Sequence, residues 1–197
     1  PQLAKSGIYT GYGFDACTAP SSAALQAWSA SPYRALGVYL GGVNRACADG
    51  NLSAAWITST LASGWSLLPL YVGLQAPCVS QAKLAKLSSN PTTAANQGRA
   101  AADDAVSLTA KFALPGATPI YYDMEGYSTT NASCSQVVQT FTTAWVDELR
   151  AQGFVAGVYG SAASTIRDIA TLGSSLPDAA WIANWNGLES VFGDPHV

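Results

Sequence analysis

The sequence predicts an α/β fold, a (β/α) barrel of the TIM type that is shortened at its C-terminal end. Two observations carry this expectation. Apolar segments that read as strands alternate with helical segments along the whole chain, the pattern of a parallel sheet wrapped by helices. No strand segment leads into G-x-G-x-x-G or G-x-x-x-x-G-K-[ST], and "LGGVNRA" is only a glycine turn, so an open nucleotide-binding sheet lacks its signature.

The elements follow in order. "SGIYTGYGFD" reads as the first strand, apolar and aromatic residues closed by an acid. "SSAALQAWSAS" is a helix with serine at its start, and "RALGVYLGG" is a strand that stops at paired glycines. "NLSAAWITSTLASG" carries an Asn or Ser start signal and a Gly stop, so it is the second helix. The third strand, "WSLLPLYVGL", precedes a long helix from about Thr93 to Phe112. The fourth, "TPIYYDME", precedes a helix from Ser135 to Gln152; "FVAGVYG", a helix from Ala162 to Leu172 and the strand "AAWIANW" complete the series. That makes about six β-α units, where a full eight-unit barrel usually takes about 250 residues. The chain is therefore expected to be short by its last one or two strands, and it stops in "FGDPHV" without a strand or cap signal.

Composition bounds the function. A chain of 197 residues with 49% hydrophobic content can bury a core, and residues 1–197 are expected to form one domain. A net charge of −3 lacks the basic excess that attracts nucleic acid or an anionic membrane surface. No apolar run approaches the roughly 18 residues that span a bilayer, so no membrane insertion is expected, and the chain reads as a monomer. "PQLAKSG" has no signal-peptide core, and Met124 is the sole methionine, so Pro1 is read as the start of a processed chain or fragment.

Cys17, Cys47, Cys78 and Cys134 show no C-x-x-C spacing, and His196 is the sole histidine, so neither a metal nor a cofactor is expected. An even cysteine count with few lysines and abundant Ser, Thr, Gly and Asn fits an exported, oxidised protein, secreted or cell-wall associated, with two disulfides. The alternative is four buried thiols in a cytosolic protein.

In a barrel the chemistry lies where strands end at the C-terminal face. There "PIYYDMEGY" places two acids one residue apart, in a chain with only 11% charged residues. Alternation puts Tyr121, Asp123 and Glu125 on one face of the strand and Tyr122 and Met124 on the other. Burying an unpaired acid is costly, so two acids sharing one face at a strand end point to function. The other strand ends add to that face: Asp15 in "YGFDAC", Tyr39 in "GVYLGG", Tyr71 and Gln75 in "LYVGLQ", Tyr159 in "GVYGS", and Trp181 and Trp185 in "AWIANWNG". Carboxyls ringed by aromatics suit a sugar. Ring faces stack on the apolar side of a pyranose, and paired carboxyls can do acid–base work on a glycosidic bond without a nitrogen base. The expected partner is therefore a glycan. Barrel packing is the plainer reading of the tyrosines, and helix capping that of Asp15. Asp103 and Asp104 in "AADDAV" read as a solvated helix face, and Asp147, Glu148 and His196 as surface.

"GYGFDACTAPS", "YRALGVYLGGVNRAC", "GWSLLPLYVGLQAPC", "PIYYDMEGY", "GVYGS" and "WIANWNG", in this order and spacing, resemble a glycoside-hydrolase-like family catalogued as a domain of unknown function. The resemblance covers nearly the whole chain. It implies an exported protein, common among actinobacteria, with a barrel similar to that of the family 25 lysozymes, which cleave peptidoglycan. In that pattern an Asp closes the first strand, matched by Asp15, and a D-x-E closes a middle strand, matched by Asp123 and Glu125. It implies Glu125 as general acid, its pKa raised by partial enclosure, and Asp123 as stabiliser of the oxocarbenium ion or as the group that orients a substrate N-acetyl. A further acid near the last strand of those lysozymes has no match here. The competing class is a non-catalytic carbohydrate-binding or cell-wall-associated module on the same barrel.

Four cysteines allow three pairings. Cys17, Cys47 and Cys78 follow the first three strands and Cys134 lies beyond the fourth, so all four fall in loops at one barrel face. Neighbouring parallel strands are about 4.8 Å apart, which brings consecutive loops within disulfide reach. The strand order thus predicts Cys17–Cys47 and Cys78–Cys134.

Overall fold

A computed structural model describes residues 9–116, 118–188, 190, 191 and 193; the start of "SGIYTGYGFD" and His196 lie outside them. Six strands form one sheet in chain order, every neighbouring pair parallel: β1 Tyr12–Ala16, β2 Tyr33–Gly41, β3 Ser66–Tyr71, β4 Ile120–Met124, β5 Ala156–Ser161 and β6 Ala179–Ala183. The crossovers carry α1 Ser22–Ala27, α2 Ala54–Ala62, α3 Pro91–Phe112, α4 Ala132–Ala151 and, after a π-helical turn at Ala162–Ile166, the single turn α5 Arg167–Ile169.

Side-chain chemistry sets the helix starts. Ser21, Ser53, Asn90 and Asn131 each accept a hydrogen bond from a backbone N–H in the first turn, satisfying a donor the helix cannot. Asn90 followed by Pro91 starts α3 two residues before Thr93, and Asn131 starts α4 three residues before Ser135. The helix expected over Ala162–Leu172 is instead the π turn followed by α5.

The outward faces of the strands pack under the helices in two clusters. Ile120, Tyr122, Met124 and Val158 meet Phe141, Trp145 and Leu149 of α4; Leu36, Val38 and Leu40 meet Trp56 and Ile57 of α2 and Trp65. Helices α3 and α4 approach closely along the buried stripe Ala94, Gly98, Ala102 and Ala105. A Cβ on Gly98 would stand 2.5 Å from the carbonyl oxygen of Phe141 and 3.0 Å from the Ala144 Cβ.

The sheet is curled. A Cβ on Gly37 in β2 would stand 2.9 Å from Cη2 of Trp181 in β6. On a flat sheet four spacings of about 4.8 Å separate those strands, beyond the reach of an indole. The strands therefore wrap into a half-barrel whose edges are β1 and β6, and among the described residues the barrel does not close. The curled six-stranded sheet, its concave face open, is consistent with the expected barrel shortened at its C-terminal end.

Two cross-links brace the C-terminal ends of the strands. Cys17 is bonded to Cys47 and Cys78 to Cys134, with Cα separations of 5.6 and 6.0 Å, the pairing that strand order predicts. Both fit an extracellular location. No described helix is long and apolar enough to cross a membrane.

Candidate active site

Inward-pointing residues of the strands line the concave face. Asp15 of β1, Tyr39 of β2, Tyr121 and Asp123 of β4, Tyr159 of β5 and Trp181 of β6 alternate with the outward residues of the two cores. Register holds them level: Asp123 is paired with Tyr159, and Tyr159 with Trp181.

Asp123 is the centre of this face. It is 5% exposed, and its buried Oδ1 has no hydrogen-bond partner among the described residues. Burial first, and then the charges of Glu125 and Asp15, push its carboxyl from the usual range up to about 7. Asp15 and Glu125 are themselves exposed. The enclosure that the family pattern leads one to expect around Glu125 therefore falls on Asp123. Glu125 follows the last residue of β4 and stands at the open lip.

Tyrosines surround the carboxyls. The Tyr39 hydroxyl donates to Oδ1 of Asp15 at 3.2 Å, and burial followed by the Asp15 and Asp123 charges pushes its pKa upward, so it remains a donor at any physiological pH. Tyr159 is pushed the same way by burial and then by Asp123, Glu125 and Asp15. Trp181 takes the edges of Tyr159 and Tyr121 at centroid distances of 5.5 and 6.0 Å, nearly perpendicular in both cases. Gly37 opposite makes room for the indole and for Asp15, whose Cβ would lie 2.6 Å from a Cβ there.

Three sequence-predicted binding residues sit elsewhere. Tyr71 is aligned with outward-facing Tyr122, so its ring packs between sheet and helices against Tyr122 and Trp145, and its hydroxyl donates to Asp104 at 2.8 Å. Gln75 is fully buried and spends its amide on backbone: Nε2 donates to the carbonyls of Gly73 and Asp123 at 3.1 and 2.9 Å, and Oε1 accepts from the Glu125 N–H at 2.7 Å. It positions both acids rather than facing a ligand. Trp185 is 93% exposed, because β6 ends at Ala183 and the period-two alternation ends with it. Asp104 is exposed as expected but holds Tyr71 in place.

Tyr121, which the alternation of "IYYDM" puts on this face, supports Trp181. Two other contributors went unpredicted. A glycine inside a strand marks close approach, which was the available signal for Gly37. Tyr127 donates to buried Asp168 at 2.7 Å, tying the loop after β4 to α5, and nothing local in the sequence links the two. Among the described residues no cluster of His, Cys, Asp and Glu could hold a metal ion.

A half-barrel with clustered carboxyls and aromatic rings at the strand ends is the architecture of a glycoside hydrolase-like domain. The chain belongs to the Rv2525c-like, glycoside hydrolase-like domain family, whose model matches residues 26–195. Among solved structures it is similar in fold to an uncharacterized B. stearothermophilus protein, with a TM-score of 0.61 and 20% identity over 87% of this chain and 74% of that one. The modular autolysin LytC from Streptococcus pneumoniae, solved alone and with a synthetic peptidoglycan ligand, aligns at a TM-score of 0.40 and 18% identity over 66% of this chain and 27% of LytC. No curated protein matches the chain.

Proposed function

We propose that this chain is an exported, single-domain protein on a TIM-type (β/α) barrel that acts on cell-wall glycan such as peptidoglycan by carboxylate acid–base hydrolysis. The observation that carries this reading is the setting of Asp123, a buried carboxyl with an unpartnered oxygen on a concave face shared with Glu125, Asp15 and a Trp181–Tyr159 pair. A buried acid beside two others at a site of this shape is a catalytic arrangement more readily than a structural one.

Burial keeps the Asp123 carboxyl protonated up to about pH 7 while the site is open. Glu125, at the lip, is the carboxyl that a glycosidic oxygen can reach; with substrate bound, the proton passes from Asp123 to Glu125 and from Glu125 to the leaving oxygen, which leaves Asp123 ionised. Asp123 has an acceptor to spare, and it orients the acetamido group of an N-acetylated sugar, whose oxygen attacks the anomeric carbon. Asp15 and Tyr39 position a sugar hydroxyl, and Tyr159 and Trp181 give the ring its stacking surface. Water then opens the oxazolinium ion so formed, giving a proton back to Glu125, and configuration at the anomeric carbon is retained.

The test is release of reducing ends from purified peptidoglycan. Glu125→Gln is expected to lower it about 10²–10⁴-fold, with an unchanged unfolding midpoint because the residue is exposed. The same exposure favours a second reading, a non-catalytic carbohydrate-binding or cell-wall module. Saccharide binding in wild type and Glu125→Gln alike, with no turnover in either, would establish it instead.

A further inference from the structure

A cleft of about 300 Å³ lies beside the carboxyl pair, walled by Cys78, Ser80, Gly126, Ser128, Ser161 and Ser164. It opens directly after Glu125, at Gly126, between the loops that follow β3, β4 and β5. Its volume is at the lower end of the roughly 300–1,000 Å³ of small-molecule sites, the size for a single ring.

Three features mark it as built for a ligand. Ser164 is 3% exposed, and its hydroxyl has no hydrogen-bond partner among the described residues, an unfavourable state in a fold that lacks a compensating ligand. Chain neighbours aside, that hydroxyl is the only atom of the described residues within 4.0 Å of where a Cβ on Gly126 would stand, so the space between the two loops is open towards Ser164. Ser164 belongs to the π turn Ala162–Ile166, a rare geometry that recurs at functional sites. The cleft wall is also fixed in advance. Cys78–Cys134 holds one side, and the Tyr127 hydroxyl on another donates to Asp168 at 2.7 Å.

Among the described residues no acidic or basic side chain lines the cleft. Its hydroxyls can exchange hydrogen bonds with hydroxyls and amides but cannot neutralise a charge. We propose that the cleft is a subsite for an uncharged, acetamido- or hydroxyl-bearing sugar ring next to the one held over Asp123, with Ser164 as its polar contact. This rests on the glycan reading above and extends it by one ring. The occupant is the neighbouring sugar of the same strand, since Gly126 follows Glu125 without a break.

The experiment is calorimetric binding of β-1,4-linked N-acetylglucosamine oligomers of increasing length to three proteins: wild type, Ser128→Trp and Ser164→Val. Ser128 is exposed, so its tryptophan variant fills the cleft from outside with no demand on the core. Wild type is expected to gain about tenfold in affinity, the worth of one good hydrogen bond, at the oligomer length that first places a ring in the cleft. Both variants are expected to lose that gain while binding the shorter oligomer as wild type does. A gain that survives in both variants overturns the subsite and leaves the glycan reading standing. Failure of every oligomer to bind wild type overturns the glycan reading, and the subsite with it.

Discussion

Asp123 links the chemistry of the site to the stability of the fold. Its carboxyl has a pKa of about 7 in the folded protein and about 4 when unfolded, so between those values the folded state holds a proton that the unfolded state has released. Stability from this group is present in full below about pH 4, declines as pH rises, and is gone above about pH 7. Three units correspond to a loss on the order of 4 kcal/mol. Asp123→Asn, a neutral isostere, is expected to match wild type near pH 4 and to exceed it by up to this amount at pH 8, as measured by urea unfolding at both pH values. Equal slopes for the two proteins would show that Asp123 ionises freely. The acids themselves were legible: D-x-E at a strand end needs only period two, and Asp15 closes its strand in the same way. Which acid is buried was not legible, because that depends on what Gln75 and the neighbouring strands place around each. Tyr71 was misplaced for a related reason: its side of the sheet follows from its register with Tyr122, a pairing across 51 positions of sequence.

Helices α3 and α4 form the wall behind β4, and Gly98 sets how closely they pack. Alanine at a helix interior is favoured over glycine by about 1 kcal/mol. At position 98 the added methyl would meet the backbone of α4 at 2.5 Å, where nothing can yield without moving the helix. Overpacking of this kind costs about 1–3 kcal/mol. Gly98→Ala is therefore expected to lower the melting temperature against its helix propensity, and a rise would show that the helices can separate freely. At this scale the alternation of strand and helix was plain in the sequence, as were the Ser and Asn starts, although Asn90–Pro91 and Asn131 moved two helices to earlier residues. The π turn was not legible. "AASTIRDIA" satisfies helical periodicity as it stands, and its wider winding goes with Thr165 seated against Gly160, where a Cβ would stand 2.5 Å from that of the threonine. The same turn delivers Ser164 to the cleft.

Across the whole molecule, the consecutive order of six parallel strands carries Asp15 and Trp181 from opposite edges of the sheet to the same patch above Gly37. The order was readable from the β-α alternation, and so was the pairing of the four cysteines, since each bond joins loops that the order makes neighbours. The degree of closure was not. It depends on whether β1 and β6 share hydrogen bonds, a long-range matter on which local patterns are silent. The curl gives the site its character, an open concave face on which one carboxyl is buried and two are exposed. The central claim is that this face hydrolyses a glycosidic bond through Asp123 and Glu125 with help from the substrate's own acetamido group. Proton NMR of the anomeric region during the first turnovers on soluble peptidoglycan fragments tests it most directly. The account predicts a product that first appears with the configuration of the bond cleaved and only later mutarotates, and no product from Glu125→Gln. An inverted first product, or identical product formation by Glu125→Gln, would contradict it.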